Sequence, residues 1–245
     1  MPCLVSIQVA QPRVWGREHA PQEHDRPWRT GFFKEPVLGA VGVETTHLHG
    51  DGQADLENHG GIDKAALAYS ADHYPRWRAE LVDFSLPESG EETPAHVSPL
   101  ARLLAGPPFP YGSFGENLSI SGLSEQDVCI GDEWQMGNAL FQVSQPRQPC
   151  WKLSRRWRIS DLSRQVIRNG RTGWYFRVLQ TGEIIAGQDV VLRNRPLPTW
   201  TIARANELLY HRQDDLAAAE ELANQPLLSL AWREMFLERL VKRRG

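Results

Sequence analysis

Short segments in which apolar and polar residues alternate recur along most of the chain. They are rich in Val, Ile and Leu, and such alternation is typical of β-strands that bury one face. The predicted strands cover residues 3–9, 37–47, 117–120, 128–130, 133–136, 139–143, 174–180, 183–186 and 190–192. Gly137-Asn138 and Thr181-Gly182 each separate two of these segments, which indicates two hairpins. Many short strands joined by glycine-rich turns predict a β-barrel.

Helical spacing of apolar residues occurs once within this strand-rich part and throughout the C-terminal part. Residues 65–84 are predicted to form a helix with a kink at Pro75. Residues 201–212, 214–224 and 226–244 are predicted to form three more helices, with Pro226 at a first helical position. We therefore expect a β-barrel domain at residues 1–197 and a three-helix domain at 198–245, the latter without chemistry of its own.

The composition and charge argue against several classes of protein. The chain has 245 residues, a net charge of −3 with both signs interspersed, and three cysteines. This charge argues against binding to a nucleic-acid polymer, and the apolar runs are too short for a transmembrane helix. No signal peptide is evident, and the cysteines lack paired or zinc-type spacing. We therefore expect a cytoplasmic protein with reduced thiols and no membrane contact.

The segment around Cys150 is the most informative one for chemistry. Pro146 and Pro149 indicate a stiff, extended backbone before the thiol, and Arg147 lies three residues upstream. A nearby guanidinium stabilises a thiolate, the form that attacks electrophiles or binds soft metals. These residues alone are equally compatible with a packed structural cysteine.

Three other stretches could take part in a site. The glycines of His59-Gly60-Gly61 allow close approach of a ligand to the backbone. Glu116 could donate a proton if it were buried, and Asn117 could bind the edge of a heterocycle. Lys34 could hold a phosphate. Each stretch also has a purely structural interpretation. His59-Gly60-Gly61 can be a helix-entry turn, Glu116 can form a structural hydrogen bond, and Lys34 can be a solvated surface residue.

Taken in order, these stretches resemble the MOSC-domain family, and within it the YiiM-like branch with a C-terminal three-helix extension. The stretches that match its motifs are Thr30-Gly31 to Val37, Gly50-Asp51-Gly52-Gln53-Ala54-Asp55, His59-Gly60-Gly61, Gly115-Glu116-Asn117-Leu118, Ile130-Gly131-Asp132, Gln145-Pro146-Arg147 to Leu153, and Gly173-Trp174-Tyr175. Residues 11–29 and 87–99 depart from the family pattern, and we expect these two loops to shape access to the site.

The resemblance implies that the barrel holds a pyranopterin molybdenum cofactor, with Cys150 as the thiolate ligand of molybdenum. Glu116 is then a candidate catalytic proton donor. The other candidate cofactor contacts are Lys34, His59, Gly60, Asn117 and Arg147.

The activity implied by the resemblance is reduction of N-hydroxylated compounds, above all N-hydroxylated purine bases such as 6-hydroxylaminopurine, which is a detoxification reaction. Electrons would come from a separate flavoprotein or ferredoxin-type donor, because the chain has neither a flavin nor an Fe–S motif. Two alternatives stay open: a sulfur carrier that holds a persulfide on Cys150, and a carrier that delivers molybdopterin. The chain is expected to be a monomer or a homodimer.

Overall fold

Strands and short helices alternate along the computed structural model, which describes residues 1–55, 60–81 and 109–244. The strands are β1 Cys3–Val9, β2 Arg13–Trp15, β3 Trp28–Thr30, β4 Glu35–Pro36, β5 Ala40–Val43, β6 Ala66–Ser70, β7 Leu118–Ser121, β8 Glu133–Met136, β9 Ala139–Pro146, β10 Trp174–Gln180, β11 Gly182–Ile185 and β12 Val190–Asn194. The α-helices are α1 Tyr74–Glu80, α2 Trp151–Trp157, α3 Leu162–Asn169, α4 Ile202–Tyr210, α5 Leu216–Ala223 and α6 Leu230–Arg244.

Eight of these strands form one curled sheet in the order β12-β8-β9-β10-β6-β7-β1-β4. Its neighbouring strands are antiparallel except for β6 and β7, which are parallel. The two ends of the sheet meet, because the Leu4 amide donates to the Gln188 carbonyl at 2.9 Å and the Gly187 amide donates to the Leu4 carbonyl at 2.7 Å. The predicted barrel architecture is confirmed as this curled sheet.

One predicted hairpin is confirmed and the other is wrong. Strands β8 and β9 pair across Gly137-Asn138 as predicted. Strand β11 does not fold back on β10; it pairs with β5, so that Ile184 lies opposite Val41. The reason is that β10 already has β9 on one edge and β6 on the other. Residues 128–130 are also not a strand, since only Cys129 forms an isolated bridge there.

The predicted helix at residues 65–84 is wrong in its first part. Ala66–Ser70 is strand β6, and all five of its residues are buried. A strand buried on both faces has a continuous apolar run, which periodicity does not distinguish from a buried helix. Helix α1 covers only Tyr74–Glu80, and Pro75 lies in its first turn and does not kink its interior. Residues 82–84 of the predicted helix lie outside the described part, as does the 87–99 loop.

Two segments have more regular structure than predicted. The expected loop at residues 11–29 contains the antiparallel pair β2 and β3. Helices α2 and α3 follow Cys150 directly and were not predicted. Both segments lie close to Cys150, so they matter for the site.

The three predicted C-terminal helices are present as α4, α5 and α6. Asp215 caps α5, where its side chain accepts from the Ala218 amide at 3.0 Å. Helix α6 begins at Leu230, so the expected helix start at Pro226 is wrong. Residues 226–229 form a turn, after which the Ser229 amide donates to the Ser144 carbonyl of β9 at 2.9 Å. This bond joins the helices to the strand that leads to Cys150.

The apolar core has two parts. The larger part fills the barrel and continues beneath α4, α5 and α6. The smaller part lies among α1, α2 and α3 and includes Trp77, Phe114, Leu153 and Val166. The smaller core therefore anchors the helix that begins immediately after Cys150. No helix in the described part of the chain is long and apolar enough to cross a membrane.

Candidate active site

A cleft of about 580 Å³, part of which is open to solvent, lies where the end of β9 meets the chain between β3 and β4. Of the residues singled out from the sequence, it brings together Lys34, Asn117, Arg147 and Cys150. Gly60 and Glu116 are not among its lining residues. His59 lies outside the described residues.

The Cys150 thiol is half-buried, free of any disulfide, and located at the N-terminal boundary of α2. Its backbone is extended, with φ −111° and ψ 168°, and the helix begins at the next residue. The Cys150 carbonyl accepts from the Leu153 amide at 3.2 Å and from Ser163 Oγ at 2.8 Å. Because Leu153 lies in the smaller core and Ser163 lies on α3, two helices fix the backbone that carries the thiol.

Arg147 is buried in the cleft wall and has only part of its hydrogen-bonding capacity in use. Its backbone amide donates to the Gly173 carbonyl at 3.0 Å, and its Nη2 donates to the Phe114 carbonyl at 3.2 Å. Its Nη1 is buried and has no hydrogen-bond partner among the described residues. A buried, unpaired guanidinium nitrogen is unfavourable in isolation, and an anion in the cleft would satisfy it.

The cleft is positively charged. Besides Arg147 and Lys34, the charge of which is offset by Asp51, it is lined by Lys64 and Lys152, and no described residue of its lining is a carboxylate. Burial lowers the pKa of Lys64, and this is opposed by the nearby charges of Asp63 and Asp55. The lining therefore favours an anionic ligand.

Tyr175 also lines the cleft and was not selected from the sequence as a site residue. Burial raises the pKa of its phenol to about 12, so it stays protonated near neutral pH. The preceding Gly173 has φ +77°, and a Cβ there would lie 2.4 Å from the Ala68 carbonyl oxygen. The sequence signal that could have pointed to Tyr175 was the glycine of Gly173-Trp174-Tyr175, because only glycine fits at position 173.

Lys34 borders the cleft, but its ammonium already has a partner inside the fold. Its side chain is buried and forms an ion pair with Asp51. The same Asp51 oxygen, Oδ1, accepts from the Ala10 amide at 2.9 Å, while Oδ2 has no partner in the described ranges. Burial lowers the pKa of Lys34, and the adjacent Asp51 charge opposes this. Lys34 thus borders the cleft within an internal ion pair that sequence spacing did not reveal, and its role as a cofactor contact stays a prediction.

Glu116 is likewise engaged inside the fold. Its carboxylate is fully buried and accepts hydrogen bonds from the Tyr74 hydroxyl, the Gly112 amide, the Phe114 amide and the Ser119 hydroxyl. All four donors lie inside the fold, and the carboxylate is not part of the cleft lining. The expected role as a proton donor is therefore not supported, and Glu116 instead fixes the turn that leads into β7.

Asn117 borders the cleft, but its amide joins strands. Its Oδ1 accepts from the Leu67 amide at 3.1 Å, and its Nδ2 donates to the Gln8 carbonyl at 3.2 Å. These bonds connect β1, β6 and the start of β7 beneath the cleft. A pterin contact at Asn117 would have to use its remaining hydrogen-bonding capacity.

Arg156 links α2 to the opposite side of the cleft. Its Nη1 donates to the Phe32 carbonyl at 3.1 Å and to the Gly112 carbonyl at 2.6 Å. Burial lowers the pKa of this guanidinium to about 10. Arg156 was not selected from the sequence, because its role depends on distant carbonyl groups.

The C-terminal helices also contact the loop that carries Arg147 and Cys150. Gln148 Nε2 donates to Met235 Sδ at 3.6 Å, and the Gln148 side chain lies close to the Tyr210 hydroxyl. Burial raises the pKa of Tyr210 to about 12. These helices therefore brace the wall of the cleft, although none of their residues lines it in the described part.

Comparison with known proteins agrees with this arrangement. A family model for the MOSC domain matches residues 55–191, which is more than half of the chain. The chain belongs to the MOSC domain family. A second model, for the YiiM-like 3-alpha helix domain, matches residues 200–243. The MOSC match contains the Cys150 loop and most of the barrel, and the second match contains α4, α5 and α6.

Individual MOSC relatives cover most of the chain. The protein YflK of Bacillus subtilis is 38% identical over 210 residues, which are 86% of this chain and 84% of YflK. The crystal structure of YiiM from Geobacillus stearothermophilus has a TM-score of 0.73 and 35% identity, and covers 98% of this chain and 100% of that one. A protein of Gibberella moniliformis named "Reductase" is 33% identical over 206 residues, which are 82% of this chain but only 32% of that protein.

Proposed function

We propose that this MOSC protein is a molybdenum-cofactor-dependent reductase of N-hydroxylated compounds, with N-hydroxylated purine bases as its substrates. The supporting observation is that one cleft combines a half-buried thiol, a buried arginine nitrogen without a described partner, and a lysine-rich lining. MOSC domains are associated with this cofactor, and one relative of this chain bears the name reductase.

The residues of the cleft fit such a cofactor. The Cys150 thiolate is a soft, strongly donating ligand of the kind that molybdenum accepts. Arg147 Nη1 and Lys152 supply positive charge for the cofactor's phosphate, while Lys34 is already neutralised by Asp51. Bound molybdenum would supply the two-electron exchange that the reaction needs.

The protein's own groups bind and orient the substrate and move protons. Reduction of an N–OH group consumes two electrons and two protons, breaks the N–O bond, and releases an amine and water. Tyr175 is protonated near neutral pH and lies in the lining, so it can donate a hydrogen bond to the substrate oxygen. A separate flavoprotein or ferredoxin-type protein would deliver the electrons.

The test is an anaerobic assay of 6-hydroxylaminopurine reduction with a chemical electron donor. The wild type and Cys3→Ser, which alters another half-buried thiol, are expected to form adenine, and Cys150→Ala is expected to form none. A wild type that accumulates a Cys150 persulfide without molybdenum would indicate a sulfur carrier. A wild type that binds pterin but never reduces the substrate would indicate a cofactor carrier.

A further inference from the structure

An exposed pair of tryptophans lies beside the cleft. The Trp151 residue is 56% exposed, although tryptophan is usually largely buried. Its ring centroid lies 5.3 Å from that of Trp28, which is half-buried. Trp28 in turn contacts Phe33, which stacks on Trp15 at 4.1 Å. The pair therefore forms the exposed end of a continuous aromatic row.

Arg155 holds the two rings in place. Its guanidinium donates to the backbone carbonyls of Glu23, His24 and Arg26. It also lies 4.9 Å from the Trp28 ring centroid and 5.5 Å from the Trp151 ring centroid. An exposed aromatic surface that is fixed before a ligand arrives loses little conformational entropy on binding. The 11–29 loop, which departs from the family pattern, supplies half of this surface.

Both tryptophans lie close in sequence to residues that line the cleft, although neither belongs to the lining itself. Trp151 lies between Cys150 and Lys152 in sequence, and both neighbours line the cleft. Trp28 precedes Thr30 by two positions on β3, so their side chains point to the same face of the strand. Thr30 lines the cleft as well. The pair thus connects two elements at one rim.

We propose that Trp28 and Trp151 form a stacking platform for the planar heteroaromatic ring of the substrate. This inference rests on the proposed function, since the ring belongs to an N-hydroxylated base whose N–OH group enters the cleft. Flat heterocycles stack favourably on indole rings irrespective of their exact substituents. The platform then selects substrates with a purine-type ring over small N-hydroxylated compounds that have no ring.

The first test measures this selectivity in the molybdenum-loaded protein. We compare kcat/KM for 6-hydroxylaminopurine with kcat/KM for hydroxylamine, which has no ring to stack. In Trp151→Ala and Trp28→Ala the ratio of the two is expected to fall about tenfold, mainly through a higher KM for the purine. Trp151→Phe should retain most of the selectivity. Leu230→Ala, which changes another exposed apolar residue, is the matched control.

A second measurement separates this inference from the proposed function. Adenine binding is measured by calorimetry, without electron donor or turnover, in the wild type, Trp151→Ala and Leu230→Ala. Adenine binding that weakens only in Trp151→Ala supports the platform even if no reductase activity is found. An unchanged substrate ratio with unchanged adenine binding overturns it. A higher KM for the electron-donor protein, with an unchanged KM for the purine, also overturns it and makes the surface a docking site for the donor.

Discussion

The two walls of the cleft use their polar groups in opposite ways. The asparagine wall, Lys34 and Asn117 with Asp51 and Glu116 behind them, has its main polar contacts inside the fold. The cysteine wall, Arg147, Cys150, Lys152 and Tyr175, presents a thiol, a phenol and a guanidinium nitrogen without a described partner. Asp51 Oδ2 is the exception in the asparagine wall, since it also has no partner in the described part of the chain. Buried polar groups are normally satisfied, so the otherwise paired first wall indicates structure and the second indicates ligand binding.

The largest expected effect on stability comes from breaking the ion pair of the asparagine wall. Lys34→Ala leaves the Asp51 carboxylate buried without its cation, so the free energy of unfolding should fall by about 3–5 kcal/mol. The double variant Lys34→Met/Asp51→Leu should recover part of this loss, because no unpaired charge remains. Urea denaturation measures both. A Lys34→Ala protein as stable as the wild type would remove the distinction between the walls.

A smaller loss is expected at Glu116. Glu116→Gln keeps the shape of the side chain but turns one acceptor oxygen into a donor that faces other donors. The free energy of unfolding should fall by about 1–3 kcal/mol. Because Glu116 would not contact the reacting atoms, turnover per molybdenum-loaded molecule should change by less than about twofold. A large loss of turnover in a fully folded variant would restore Glu116 as the proton donor.

Alkaline pH tests the buried phenols. An unfolded tyrosine has a pKa of about 10, and burial raises the pKa of Tyr175 and Tyr210 to about 12 in the folded protein. The folded state then keeps protons that the unfolded chain has released, so this stability is complete below about pH 10 and is lost as the pH rises towards 12. Burial lowers the pKa of Lys34, so its contribution to stability rises with pH up to about pH 10.5, in the opposite direction to that of the tyrosines. The effect of one tyrosine therefore has to be measured by comparing variants.

The measurement is the urea midpoint at several pH values for the wild type and Tyr175→Phe. The wild type should lose more stability than Tyr175→Phe between about pH 10 and 12. Equal losses in the two proteins would show that the Tyr175 phenol is not shielded in the folded state.

The smallest stability effects are expected in the cysteine wall. Arg147→Ala removes one hydrogen bond to the Phe114 carbonyl, so the free energy of unfolding should fall by only about 1 kcal/mol. Lys152→Ala should change it by less than about 0.5 kcal/mol. Cofactor content should nevertheless fall in Arg147→Ala, as metal and pterin analysis would show. A variant that is strongly unstable yet fully loaded would reverse the assignment of the two walls.

The sequence predicted the parts of this picture that depend on local pattern. Alternation marked β1 and the β8–β9 hairpin, and two prolines before Cys150 marked its extended loop. The partner of β11 was missed because strand pairing between distant segments leaves no local trace. Strand β6 was missed because burial of both faces removes its period of two.

For the site as well, the sequence predicted contacts between residues close together in the chain and missed those between distant segments. Arg147 and Cys150 are three residues apart, so their proximity could be inferred, and both line the cleft. The Lys34–Asp51 pair and the bonds of Arg156 join segments far apart in sequence. Such contacts follow only from tertiary packing, which is why Lys34 was expected to be free and Arg156 was overlooked.

Molybdenum content tests the central claim most directly. Protein made in cells that supply the cofactor is purified anaerobically as wild type, Cys150→Ser and Cys3→Ser, and bound metal is measured together with pterin. We expect near-stoichiometric molybdenum in the wild type and in Cys3→Ser, and a loss of molybdenum in a folded Cys150→Ser protein. Equal molybdenum in all three proteins, or none in the wild type under these conditions, would contradict the assignment of Cys150 as the metal ligand.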